Sequence, residues 1–287
     1  MREDLAITQS AASSLTARQA LHEGAGFLSR SGIESARLDA EILLAMVLGR
    51  RREELYVNFE RPLAGRERSL FRSALERRGL GEPVAYLTGQ REFWSLDFLV
   101  TADVLVPRPE TELVVEVAIG LMEAEFQISD RKFQILDLGT GSGNIAVSLA
   151  MDVSNGEVWA TDLSCEAIRV AGTNALRHGV KEKIHLLQGD AFEPIKEKRD
   201  FFHMIVSNPP YVRRGEIPTL PRDVRDWEPI SALDGGIDGL DFYRPIAAEG
   251  QLYLKERGFI VVEIGDGMAE GVLGLLAAAG SYSAGSV

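Results

Sequence analysis

The segment IVSNPPY at 205–211 carries the most specific chemistry in the chain. An amide or exocyclic amine nitrogen is a poor nucleophile because its lone pair is delocalised. The Asn208 side-chain oxygen and the Pro209 carbonyl are two acceptors that can hold both hydrogens of an NH2 group. That grip aims the nitrogen at an electrophilic methyl and favours the positive charge developing on it. Pro209 and Pro210 stiffen the loop, and Tyr211 offers a flat face for a planar amide or base. Asn-Pro-Pro can also be a plain turn, but here it follows an apolar strand and lies downstream of a glycine loop.

That loop is DLGTGSGN at 137–144, where an apolar run ends in Asp137 and a helix begins at once. Gly139, Gly141 and Gly143 permit a tight turn and close ligand approach, with Thr140 and Ser142 between them and a helix N-terminus behind. A dinucleotide loop asks for its third glycine one position after Gly143, and Asn144 stands there instead. Asp162, 25 residues after Asp137, ends the next strand and can accept from both ribose hydroxyls, or cap the helix after Leu163. Gln188, Gly189 and Asp190 close the following strand and could meet an adenine, although Gly-Asp is also a common turn. His22, His178, His185 and His203 lack metal-ligand spacing, so no metal is expected. Cys165, the single cysteine, reads as a bystander at a helix start and suits a reducing compartment.

The elements that must position these residues follow from periodicity. Helices are expected at 113–126, 144–151 and 166–178, and strands at 133–138, 157–161, 184–188, 204–207 and 259–263. Strands alternating with helices imply an α/β fold with a doubly wound, Rossmann-like parallel sheet. Residues 1–80 instead carry helical periodicity, with an apolar stretch stopped by Gly49 and an arginine-rich helix at 66–78 stopped by Gly79. A small all-α bundle is expected there, and a short β-hairpin linker over 81–107, leaving 108–287 for the α/β domain.

Composition bounds the partners. Of 287 residues, 45% are hydrophobic and 26% charged, an ordinary globular balance. Residues 1–100 hold 14 basic side chains, all arginine, and 14 acidic ones, whereas 101–287 hold 17 and 29, so the whole net charge of −12 lies in the second part. An acidic region of that size repels phosphate backbones and disfavours direct nucleic-acid binding. The arginines of 1–100 read as solvated helix faces or, less readily, as a partner-docking surface. The N-terminal MREDLAITQS lacks a signal-peptide core and no apolar run reaches membrane-span length, so a cytoplasmic protein is expected.

The constellation resembles the S-adenosylmethionine-dependent methyltransferases, and specifically the release factor glutamine methyltransferase (PrmC/HemK) family. The matching segments are GEPVAYLTGQREFW at 81–94, VLVPRPETE at 104–112, DLGTGSGNIAVSLA at 137–150, SNPPY at 207–211 and ALDGGIDGLDFYRPI at 232–246. The Asn-Pro-Pro-Tyr motif alone is shared with enzymes that methylate DNA or RNA amines. PRPETE together with LDGGIDGLDFY is far more specific. The resemblance implies a class I methyltransferase sheet with Gly139, Thr140, Gly141, Ser142, Gly143, Asp162, Asp190 and Asn208 toward S-adenosylmethionine. It implies that Asn208 and Pro209 orient a glutamine amide, with Pro210 and Tyr211 shaping its slot and Asn208, Pro209 and Tyr211 as the catalytic set. Arg108, Glu110 and Thr111 are candidates for ordering the 107–112 loop, and Glu112 for beginning a helix.

The implied reaction is methylation of the glutamine side-chain nitrogen in the Gly-Gly-Gln motif of class 1 peptide chain release factors, by direct transfer without metal or covalent enzyme intermediate. A monomer with a substrate-docking N-terminal domain is expected. Two departures stand out: Met268 occupies a position where the family often carries Gln, and the segment after 273 lacks the final strand pair that usually closes the sheet. The alternatives are a nucleobase-amine methyltransferase and a cofactor-binding protein without turnover. An NAD-dependent oxidoreductase is disfavoured by Asn144.

Overall fold

The computed structural model describes residues 15–125, 132–280, 282 and 285. The expected helix end at 126 and the polar segment 1–10 lie outside the described residues. The chain divides into two compact units, Met1–Thr88 and Gly89–Val287.

The first unit is all-helical: α1 (Ala17–Arg30), α2 (Ala36–Leu48), α3 (Arg52–Val57), α4 (Gly65–Gly79) and α5 (Val84–Thr88). Thr16 and Gln19 cap α1 reciprocally, satisfying two otherwise orphaned amides. Gly49 ends α2 in the left-handed conformation (φ 60°), as its position after the apolar run suggests. Leu21, Leu28, Leu43, Leu44, Leu55 and Phe71 form the core. Not every arginine of α4 lies on a solvated face. Arg78 is buried, its Nε donating to Asp39 at 2.7 Å and one Nη to the Glu82 carbonyl at 3.1 Å, while Arg77 pairs with Glu82.

The stretch expected as a hairpin over 81–107 is part helix. Pro83 fixes the first turn of α5, its carbonyl accepting from Tyr86 N and Leu87 N, and the Thr88 hydroxyl donates back to Val84 O at 3.0 Å. The hairpin itself is shorter, β1 (Gln90–Phe93) paired antiparallel with β2 (Leu96–Leu99), and it belongs to the second unit. Trp94 and Ser95 make its turn with positive φ (53° and 57°). Glu112 holds that turn, its carboxylate accepting from Trp94 N at 2.8 Å, besides beginning a helix as expected.

The rest of the second unit runs α6 (Glu112–Glu125), β3 (Phe133–Leu138), α7 (Asn144–Asp152), β4 (Gly156–Asp162), α8 (Cys165–Arg177), β5 (Ile184–Gln188) and β6 (Phe202–Ser207). It continues through α9 (Arg222–Arg225), α10 (Tyr243–Tyr253), β7 (Leu254–Val262) and α11 (Ala269–Ala279). The five strands β3–β7 form one parallel sheet in the order β5-β4-β3-β6-β7. Strands β3 and β6 are buried at every residue, as central strands covered on both faces must be. Strand β7 starts five residues earlier than the apolar run 259–263, and its register against β6 shifts between Phe202 and Met204. The chain order turns back between β3 and β6, so a crevice opens beyond their carboxyl ends. The glycine loop leaves β3 and Asn208 leaves β6 at that crevice.

Candidate active site

Gly139, Gly141 and Gly143 take φ of 72°, 56° and 80°, a region other residues enter only with strain. Gly143 has a second reason to lack a side chain: a Cβ there would lie 3.1 Å from Ala171 Cα on α8. That contact brings the loop against a helix, so it is not the helix–strand packing that a dinucleotide loop assigns to its third glycine. Gly139 N and Thr140 N donate to Thr161 O at 2.9 and 3.0 Å, tying the loop to β4.

Asp162 ties the glycine loop to the turn before α8, whose cap is Ser164, its side chain accepting from Ala167 N. Asp162 Oδ1 accepts from Ser164 N at 2.9 Å, setting up the start of α8, and its Oδ2 accepts from Gly141 N at 2.8 Å. Each oxygen keeps a lone pair for a hydroxyl, and the residue lines the cavity. Asp162→Ala is expected to weaken cofactor binding by about 1–3 kcal/mol, the cost of unpaired polar partners. A calorimetric titration checks this, and unchanged affinity removes Asp162 from the site.

The cavity beyond β3 and β6 has a volume of about 520 Å³. Gly139, Thr140, Gly141, Ser142, Asp162, Asp190, Asn208 and Pro210 line it, together with Thr111. Gly143, Pro209 and Tyr211 do not line it. Tyr211 is held against neighbouring backbone instead: a Cβ on Gly265 would lie 2.8 Å from its ring, and one on Gly239 2.6 Å from its carbonyl oxygen. The glycines of LDGGIDG are therefore there for close approach. Val212 N donates to Leu233 O and Gly235 N to Val212 O, at 2.9 and 2.8 Å, sealing the two strands of loop together.

The electrostatics select a ligand class. Asp103, Asp162, Glu166, Asp190 and Asp234 line the cavity, with no lysine, arginine or histidine among its lining residues. A pyrophosphate would be repelled there, and a cationic ligand attracted. Asp137 at the end of β3 is fully buried, with Oδ2 accepting from the Thr140 hydroxyl at 2.7 Å and Oδ1 without a hydrogen-bond partner. Burial pushes its carboxyl up to about 7, the Asp162 charge adds to this, and hydrogen bonds from Thr140 and the Ala146 amide oppose it. A cavity lined by carboxylates, with no cationic side chain among its lining residues, fits the sulfonium and ammonium of S-adenosylmethionine, which carries no phosphate.

Three residues that sequence reasoning passed over, Asn174, Glu228 and Glu263, hold the site together. Asn174 on α8, fully buried, accepts from Leu99 N at 2.7 Å and donates to Leu99 O at 2.9 Å and Ser142 O at 2.8 Å, fastening the glycine loop to β2. Asn174→Ala is expected to destabilise the protein by about 1–3 kcal/mol, since these backbone groups are left unpaired. A shift in the urea midpoint at constant slope checks it. Glu228 accepts from Arg108 Nη at 2.6 Å and Val106 N at 3.3 Å, so Arg108 orders the 107–112 loop as expected. Burial raises the Glu228 carboxyl and the Arg108 guanidinium opposes it. Glu263, just beyond β7, accepts from the Thr111 hydroxyl at 2.5 Å and from Tyr211 at 3.4 Å. Thr111 in turn accepts from Asn208 Nδ2 at 2.8 Å. Met268 packs with Tyr243 and Val272. Of the three, Glu263 had a signal: a charged residue ending an apolar strand of a parallel sheet sits at the ligand edge.

The parallel sheet, glycine loop and phosphate-excluding acidic cavity define a class I S-adenosylmethionine-dependent methyltransferase. Its fold is similar to the hMettl16 catalytic domain solved in complex with MAT2A 3'UTR hairpin 6, with a TM-score of 0.50 and 17% identity over 68% of this chain and 70% of that one. The family described as PrmC N-terminal domain matches residues 19–89, and that described as methyltransferase small domain matches 119–220. The release factor glutamine methyltransferase of Geobacter sulfurreducens is 43% identical, over 92% of this chain and 89% of that protein. The protein of that name from Moorella thermoacetica is 41% identical over 93% and 92%. The chain belongs to the release factor glutamine methyltransferase family. No helix of the described residues is long and apolar enough to cross a membrane.

Proposed function

We propose that this protein transfers the methyl group of S-adenosylmethionine to the side-chain amide nitrogen of the glutamine in the Gly-Gly-Gln motif of class 1 peptide chain release factors. One observation carries the reading: Asn208 stands on the wall of an acidic cavity that also contains the glycine loop and Asp162. When bound, S-adenosylmethionine supplies a methyl made electrophilic by its sulfonium. The chain's own residues do the rest. The backbone of 139–142, Asp162 and Asp190 hold the cofactor. Asn208 Oδ1 and the Pro209 carbonyl accept the two amide hydrogens, and Pro210 walls the slot. Tyr211 supports the Asn-Pro-Pro turn through its packing against 235–239 and 265.

The helical unit Met1–Thr88 docks the release factor, and the enzyme acts as a cytoplasmic monomer. Methylation of a nucleobase amine is disfavoured by the acidic lining, since a nucleic acid must bring phosphates to the mouth. The deciding experiment supplies labelled S-adenosylmethionine with a purified release factor, the same factor with the motif glutamine replaced by alanine, DNA, and RNA. Label on the intact factor alone is expected. Label in nucleic acid, or equal label on the alanine variant, overturns the proposal.

A further inference from the structure

We infer that Thr111 and Glu263 are positioning residues that fix which way the Asn208 amide faces, by a hydrogen-bond relay of set direction running Asn208 to Thr111 to Glu263. The inference rests on the proposed glutamine chemistry and adds to it the group that makes Asn208 competent.

An asparagine amide has two faces of nearly equal shape, and only one serves here. Turned with Oδ1 into the slot it accepts from an NH2 group; turned with Nδ2 into the slot it opposes that group with its own hydrogens. Nothing local to the Asn-Pro-Pro turn selects between them. The selection comes from two distant segments. Asn208 Nδ2 lies 2.8 Å from Thr111 Oγ1, and the Thr111 hydroxyl lies 2.5 Å from Glu263 Oε2. An ionised carboxylate only accepts, so the single Thr111 proton is committed to Glu263. Thr111 can then only accept from Asn208, which must present Nδ2 to it and Oδ1 to the cavity. Flipping the amide would set two oxygens against each other without a proton.

The end of the relay is itself anchored. Glu263 N donates to Ser207 O at 2.9 Å, Tyr243 OH donates to Glu263 O at 2.7 Å, and Ser207 Oγ donates to Leu138 O at 2.7 Å. Strands β3, β6 and β7 are thereby locked at the level where Asn208 emerges. Thr111 is buried, in the 3-10 turn Pro109–Thr111, and its loop is held by the Arg108–Glu228 pair. The relay therefore joins residues 97 and 152 positions apart in the chain.

The test compares wild type, Thr111→Val, Thr111→Ser and Glu263→Gln in release-factor methylation, with S-adenosylmethionine binding measured separately by calorimetry. Valine keeps the volume and removes the relay; serine restores it; glutamine keeps an acceptor and removes the charge. Thr111→Val is expected to lower kcat by about 10- to 100-fold, as misorientation of a reacting group does, with the cofactor Kd and the release-factor KM little changed. Thr111→Ser should recover most of that loss, and Glu263→Gln should fall between. Retained kcat in Thr111→Val overturns the relay, as does a loss of kcat matched by lost cofactor affinity, which would make Thr111 a cofactor contact. No rescue by serine also overturns it. If wild type itself methylates no release factor while binding the cofactor, it is the proposed substrate that fails, a result distinct from all of these.

Discussion

Asn208→Ala should lower kcat for methyl transfer to a release factor by about 10²–10³-fold, the loss typical of removing one aligned polar group at a reacting centre. A carboxamide nitrogen shares its lone pair with its carbonyl, and methylation leaves positive charge on it. An acceptor on each N–H favours that charge and fixes the nitrogen's direction. Alanine removes the side-chain acceptor and leaves the turn, which the two prolines and the packing of Tyr211 maintain. Cofactor affinity should change by about tenfold at most, one hydrogen bond's worth. Single-turnover rates with saturating S-adenosylmethionine separate the two effects. A variant that keeps wild-type kcat would show that the nitrogen is oriented by other groups.

The second large effect concerns Asp137, whose carboxyl is raised from 3.8 to about 7 chiefly by burial. A raised acid favours folding fully below its unfolded value and loses that contribution as pH rises through its folded value. Between pH 4 and 7, ligand-free protein should therefore lose roughly 3 kcal/mol of stability through this group. In Asp137→Asn that part of the pH slope should vanish, whatever the variant's absolute stability. Asp162, Glu228 and Glu263 are raised in the same direction, again mainly by burial, and should keep their share of the slope. Denaturant unfolding across this range, on both proteins, reads the difference.

Ligand binding supplies an independent check. A cationic ligand bound at the glycine loop lowers the Asp137 pKa through space, so S-adenosylmethionine binding near pH 7 should release protons from wild type and far fewer from Asp137→Asn. Calorimetry in two buffers of different ionisation heat measures the count. Equal proton release in the two proteins would mean that Asp137 does not sense the cofactor's charge.

What could be read along the chain was local. The α/β alternation, the glycine loop, the 205–211 motif and the acidic balance of 101–287 all stand in short windows, because backbone conformation and burial periodicity are set by near neighbours. The window 81–107 misled for a related reason. Its alternating apolar residues suit strands, but Pro83 sets the geometry of a helical first turn and Thr88 returns a hydrogen bond to it, so α5 forms before the hairpin begins. Asn144 did not mislead: it marks the loop as non-dinucleotide, and Gly143 packs instead against Ala171 on α8.

By itself, then, the sequence determined which residue types stand at the ends of β3, β4 and β6, and hence the kind of ligand and nucleophile they suit. Only the tertiary structure decided how those residues are held. Asn174 reaches Leu99 across 75 positions, Glu228 reaches Val106 across 122, and Glu263 reaches Thr111 across 152. Each is a single polar residue in an unremarkable local setting. Its partner is chosen by sheet register and loop path, which arise from burial of the whole apolar set and cannot be read from any one segment.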